Sequence, residues 1–212
     1  MKREFSLKNI GEFFRKIRKR FQTYIEISGL GEIARRYFVM NAFDGALTML
    51  GVIMGALMIH GIITYDSLKV IIGAGVGGSF AMGVSGFFGA YMAESAERSR
   101  ELKHLEGAML KSLEDSIYAK AYRFATIIAA LIDSLAPMLS AFISLIPLIL
   151  AYIGIIPVTS AAFISIALIF IMLFLLGVFL GEVSKENIII SGIKMLCAGF
   201  VTAVISFILH FL

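Results

Sequence analysis

From Val158 to Leu180 the chain reads VTSAAFISIALIFIMLFLLGVFL, a run without a single charged side chain. As a helix rising about 1.5 Å per residue it would extend roughly 35 Å, enough to cross the ~30 Å hydrocarbon core of a bilayer. The reading extends outward from this segment. Four further apolar runs fall at about 38–61, 68–92, 134–153 and 188–212. The whole chain has 212 residues, of which 59% are apolar and only 16% charged, with a mean hydropathy of +0.91. A soluble domain carries about a quarter charged residues, so this chain has too little polar surface to coat itself in water. The expected fold is all-α: a polytopic membrane protein with five transmembrane helices, an N-terminal amphipathic helix, and a cytoplasmic helical segment between spans two and three.

Residues 1–37 form a basic segment in which Phe5, Phe13, Phe14, Ile17, Phe21 and Ile25 recur at roughly helical spacing. That pattern predicts a helix lying on the membrane surface, with a partly ordered basic tail as the alternative. The segment has no apolar stretch before a small-residue cleavage site, so it does not read as a signal peptide. Residues 38–212 form the membrane domain, including a polar helical segment over 93–131. Orientation follows from the basic residues. Ten precede the first span, and six lie between spans two and three (Arg98, Arg100, Lys103, Lys111, Lys120 and Arg123). Lys185 and Lys194 fall around the start of the fifth span, while Lys69 stands alone on the other side. Basic loops stay in the cytoplasm, so the N-terminus is expected inside and the C-terminus on the opposite side of the cell membrane. Tyr37 and Tyr91, and on the other side Tyr65 and Tyr152, fall at predicted borders, where an apolar ring with a wet hydroxyl is favoured.

The second span is rich in glycine, with Gly73 and Gly77, Ser79 and Gly83, and Ser85 and Gly89 each four apart. Small residues at that spacing let helix backbones approach closely in lipid. The same lack of bulk leaves room for an ion path.

Asp44 is the clearest charge in the wrong solvent. It follows Tyr37 by seven residues, about 10 Å along a helix, too deep for its short side chain to reach water. A hard anionic oxygen at that depth binds a divalent cation or carries a proton; the alternative is a hydrogen-bonded structural strut. Asp133 is ambiguous. It is deep in the bilayer if the third span starts at Phe124, and an N-cap if the span starts at Ser134, with Pro137 then in the first turn. The cap is preferred because it leaves a span of ordinary length. Lys194 can reach the interface along its own stem. His60 and His210 fall at outer span ends and read as interfacial.

In the polar segment, Glu94, Glu97, Glu101 and His104 are spaced three, four and three apart, which places them on one helix face. Carboxylates with an imidazole suit Fe2+ or Mn2+. Arg98, Arg100 and Lys103 are interleaved, so a solvated, salt-bridged face is the competing reading. Cys197 cannot pair within the chain and sits in an apolar run. No aromatic-interleaved basic sheet or zinc spacing points to nucleic acid, and no nucleophile–base pair points to an enzyme.

The order of several short motifs resembles the vacuolar iron transporter family, which includes the yeast calcium-cross-complementer iron and manganese transporters. The first span reads Phe43-Asp44-Gly45-Ala46-Leu47-Thr48 with Gly55 later, where the family has Asn-Asp-Gly, two apolar residues, Ser or Thr, and a later glycine. Gly89-Ala90-Tyr91, followed by Arg98 and Glu101, is similar to the family's Gly-Glu-Tyr with its Arg and Glu. Phe142 and Pro147, Gly177 and Gly181, and Ser191-Gly192-Ile193-Lys194-Met195 with Gly199 look like the family's last three spans. The resemblance covers residues 38–212. The family's methionine falls on Gly86 here and its glutamate on Ala90; Met82, one turn away, is the thioether that stands nearest in sequence. The resemblance implies a homodimer in the membrane that moves Fe2+ or Mn2+ out of the cytoplasm against protons, with Asp44 on the path; Met82 is added to the path from its own position, one turn from Gly86, and not from the resemblance. Metal would be cargo, collected on Glu94, Glu97, Glu101 and His104, and no resident cofactor is expected. A non-transporting scaffold of the same fold, binding lipid or a partner, is the alternative.

Overall fold

A computed structural model describes residues 7–60 and 64–209. Among the described residues the chain is all-helical, with six helices and no strand. They are α1 (Leu7–Ser28), α2 (Leu30–His60), α3 (Tyr65–Met109), α4 (Ile117–Tyr152), α5 (Val158–Ser184) and α6 (Ile188–Leu209). Five of them, α2 to α6, are long and apolar enough to cross a membrane, which bears out the five-span reading and the multi-pass membrane class. The side chain of His60 and the whole of His210 lie outside the described residues, as do Lys2, Arg3 and Phe5 and the side chains of Lys8, Phe13, Phe14 and Ile17.

The chain divides into two compact units. The first comprises Met1–Arg35 with Phe88–Leu131, and the second Arg36–Phe87 with Ile132–Leu212. The basic N-terminal helix therefore groups with the polar segment that follows the second span. In the first unit α1 is held against α4 by aromatic contacts, with Phe21 and Tyr24 packing on Phe124 at ring separations of 5.1 and 5.7 Å. The polypeptide leaves α1 through Gly29, whose φ of +62° lies in the left-handed region that glycine adopts without a steric penalty. At the end of α3, Glu106 accepts a hydrogen bond from the Leu113 N–H at 2.7 Å, which closes the turn toward α4.

The second unit is built around fully buried Met49, Leu50 and Ile53 of α2, Leu68 and Ile71 of α3, Leu145 and Leu148 of α4, and Ile169 and Leu173 of α5. In lipid, apolar surface gains little from leaving its surroundings, so close backbone approach decides which helices pair. The glycines mark those approaches. A Cβ on Gly177 would meet the Gly192 Cα at 2.7 Å, and one on Gly181 the Ile188 Cα at 2.9 Å, so α5 and α6 close as a tight hairpin. Its turn is defined at both ends. Lys185 takes φ +56°, with its N–H on the Glu182 carbonyl and the Glu186 N–H on the Gly181 carbonyl, a left-handed helix stop. Asn187 then caps α6 by accepting from the Ile189 and Ile190 N–H groups. At the start of α3, Tyr65 stacks on Tyr152 at 5.3 Å and donates its hydroxyl to the Tyr152 carbonyl at 2.8 Å.

One helix differs from expectation. The helix that carries the third span does not begin at Ser134, because α4 is continuous from Ile117 through Asp133, Pro137 and Pro147 to Tyr152. Residues 124–131 are apolar except for Thr126 and carry no glycine or proline, so nothing stops the helix there. Pro137 removes a single backbone hydrogen bond, which packed spanning helices tolerate. Asp133 is therefore an interior residue of α4 rather than its N-cap.

Candidate functional site

The polar side chains of the second unit converge where α2, α3 and α4 cross. Asn41 of α2 donates both amide hydrogens, one to the Tyr37 carbonyl at 2.8 Å and one to Asp133 Oδ1 at 2.7 Å. The first bond fixes the amide on its own helix and the second holds the α4 carboxylate in place. Asp44 follows Asn41 by three residues, on the same side of α2, and the next residue, Gly45, is where α2 meets α4 at Pro137, one turn after Asp133. Two carboxylates from different helices thus share one neighbourhood.

Three backbone features make that neighbourhood possible. Gly45 allows α2 to cross α4 at contact with Pro137, since a Cβ there would meet the Pro137 carbonyl oxygen and lie 2.8 Å from its Cα. Gly83 makes a similar gap for Met138. Gly86 faces Asp133 itself: a Cβ would lie 2.9 Å from Oδ2 and 3.1 Å from the Asp133 carbonyl oxygen. That carbonyl would normally accept from the residue four positions on, which is Pro137 and has no N–H. Asp133 therefore presents both carboxylate and backbone oxygen to the bare surface of α3, a set of hard oxygens suited to a divalent cation or a proton.

Asp44 lies on an exposed face of the protomer, in line with Met40 and Thr48 at four-residue intervals. Along α3, Gly73, Gly77, Ala81 and Ser85 repeat the same interval and are also exposed, with nothing within 4 Å of a Cβ at either glycine. Met82 is partly buried and packs against the apolar core, so its contacts are those of packing. Lys194 forms an exposed ion pair with Glu186 at 3.5 Å, and Cys197 is exposed on α6.

In the first unit the structure separates the four residues expected on one face. Glu94 is turned inward beside Arg98, which is 5% exposed; Arg98 Nε lies 3.2 Å from Glu94 Oε2, an ion-pair distance without hydrogen-bond alignment. The same guanidinium sits over the Tyr122 ring at 5.3 Å and donates from Nη1 to the Ser28 carbonyl at 3.1 Å. Arg98 thereby ties the last residue of α1 to α3. Glu97, Glu101 and His104 instead line an open cavity of about 460 Å³ together with Arg100, Leu105 and Tyr122. Glu94 belongs with Arg98 because it stands at the edge of the acidic stripe, one turn before the arginine. Among the described residues no three His, Cys, Asp or Glu side chains are close enough to hold a metal ion within one chain.

Sequence reasoning named Asp44 but missed Asn41 and misplaced Asp133. The available signal was an amide, Asn41, one turn before an intramembrane carboxylate in an otherwise apolar run. No protein-family model matches the chain. It is 38% identical over 184 residues to the uncharacterized protein MJ0645 of Methanocaldococcus jannaschii, a match covering 85% of this chain and 90% of that relative. At that identity and coverage, the chain belongs to the same family as MJ0645.

Proposed function

We propose that the protein carries a divalent metal ion, Fe2+ or Mn2+, out of the cytoplasm in exchange for protons, with Asp44 as the principal ligand of the path. The observation that carries this reading is Asp133 held by Asn41 across two spanning helices, with Asp44 one turn along the same helix from Asn41. Intramembrane carboxylates are costly and mark ion or proton paths. Two of them in one neighbourhood bind a divalent cation when ionised and release it on protonation, which supplies the coupling. Asp133 and its freed carbonyl occupy the space that a methionine at position 86 would need, so oxygen replaces sulfur in the donor set. Glu97, Glu101 and His104 gather metal on the cytoplasmic side. The resemblance to vacuolar iron transporters supports the same assignment.

The working unit is a homodimer. Asp44 on an open face of a single protomer would meet lipid, whereas a second copy covers it, and the exposed small-residue stripe of α3 suits close helix contact. The N-terminus lies in the cytoplasm and the C-terminus opposite, on the strength of the basic asymmetry. A second reading, a lipid- or partner-binding scaffold that retains the fold, is favoured by the lack, among the described residues, of any three metal-type ligands gathered in one chain.

Uptake of Fe2+ and Mn2+ into sealed vesicles at matched protein incorporation decides between the two. Asp44→Asn keeps the shape and most hydrogen bonding but removes anionic ligand and proton site together. Transport predicts a folded, inserted variant with little flux. Near-normal flux from Asp44→Asn removes this residue from the mechanism, and absence of flux from the native protein leaves the scaffold.

A further inference from the structure

The basic residues of α1 are not all equivalent. Lys19, Arg20, Thr23 and Tyr24 from α1 and Ile117 and Lys120 from α4 line a cavity of about 560 Å³ in the first unit. Positions 19, 20, 23 and 24 form one face of a helix, and 117 and 120 are one turn apart at the start of α4. Three cations face the cavity, and among the described residues no carboxylate lines it. Arg15, Lys16 and Arg18 are on the same helix and exposed, but they are not part of its wall.

The wall is held by packing independent of any ligand. Tyr24 rests on Phe124, and the end of α1 is tied by Arg98 through the Ser28 carbonyl. The Thr23 hydroxyl donates to the Lys19 carbonyl at 3.0 Å, so its proton is already used within α1, while Tyr24 brings a phenolic donor. The Ser116 hydroxyl accepts from the Ala119 N–H at 3.2 Å and so caps the first turn of α4, whose positive end adds to the field of the three cations. Crowding like charges in a concave space is unfavourable unless an anion sits among them.

We propose that this cavity binds a phosphate group, carried either by an anionic lipid headgroup or free in solution. A guanidinium fork, two ammonium groups and a phenol match a tetrahedral anion with several acceptor oxygens better than a planar carboxylate. The site is separate from the metal path and does not depend on it.

The test uses the full chain in neutral detergent, titrated separately with short-chain phosphatidylglycerol, short-chain phosphatidylcholine and inorganic phosphate. Bound lipid is counted by native mass spectrometry and bound phosphate by radiolabel. Replacing Lys19, Arg20 and Lys120 together by glutamine is expected to weaken binding at least about tenfold, and replacing Arg15, Lys16 and Arg18 by glutamine less than about twofold. Binding of phosphatidylglycerol, with phosphatidylcholine and phosphate much weaker, supports the site with a lipid occupant. Binding of inorganic phosphate that competes with phosphatidylglycerol supports it with a free one. Equal loss in both triple variants means diffuse attraction to a basic helix and overturns the proposal, as does binding of neither anion by the native protein. If the cavity triple fails to fold, Lys120→Gln alone carries the test: a loss of about threefold is expected, and unchanged affinity overturns the site.

Discussion

Gly45→Ala isolates the helix crossing on which the carboxylate cluster depends. The new methyl would lie 2.8 Å from the Pro137 Cα and 3.0 Å from its carbonyl carbon, about 0.7 Å short of a ~3.5 Å carbon contact at the nearer atom. These are backbone atoms, so no rotamer change relieves the overlap, and α2 and α4 must separate. Overpacking costs about 1–3 kcal/mol, and about 2–3 kcal/mol where only backbone can give way, partly offset by the ~1 kcal/mol that alanine gains over glycine inside a helix. A net loss of about 1–2 kcal/mol corresponds to a fall of roughly 2–8 °C in unfolding temperature for a chain of this size. Gly51→Ala is the matched control on the same helix: nothing lies within 4 Å of its Cβ, so it should unfold at or slightly above the native temperature. Thermal unfolding of both variants in one detergent gives the comparison. Equal unfolding temperatures would mean that α2 and α4 do not touch at Gly45, and the account of how Asn41 reaches Asp133 would go with that contact.

Two further outcomes follow from other parts of the molecule. Arg98→Ala leaves Glu94 buried beside a vacated guanidinium and removes the tie to the Ser28 carbonyl; a loss of about 3–5 kcal/mol is expected. Limited proteolysis should then cut within α1 faster than in Arg100→Ala, and equal cutting rates would show that Arg98 does not hold α1. A reporter fused after Leu212 should be active only outside the cytoplasm, and cytoplasmic activity would overturn the orientation drawn from the basic residues.

The spans were legible because each is a long apolar run, and that property alone decides a helix in lipid. Their ends were less so. Asp133 and Pro137 together imitate a helix start, with a capping residue followed by a proline in the first turn. Only the packing of α4 against α2 and α3 shows that the helix continues through both. Asn41 left no periodic signal, because one amide in an apolar run reads equally well as a helix contact. Its role emerges from a partner 92 positions away in the chain. Glu94 shows the limit of spacing arguments: three-and-four intervals place residues on a stripe of real width. Arg98, one turn further on, decided that the edge of that stripe would be buried. The amphipathic α1 was readable from Phe21 and Ile25, but the contacts of Phe21 and Tyr24 with Phe124 were not.

The contact between Gly86 and Asp133 also constrains how such a sequence can change over generations. A side chain at position 86 and a carboxylate at position 133 claim the same volume, with 2.9 Å between the would-be Cβ and the carboxylate oxygen. A lineage therefore cannot acquire bulk at one position while keeping the acid at the other without moving α3 or α4. Shortening residue 133 first opens a gap in the packing, and enlarging residue 86 first forces the helices apart. Each route passes through a less stable intermediate, so the two positions are held together as a pair and should change, when they change, in concert.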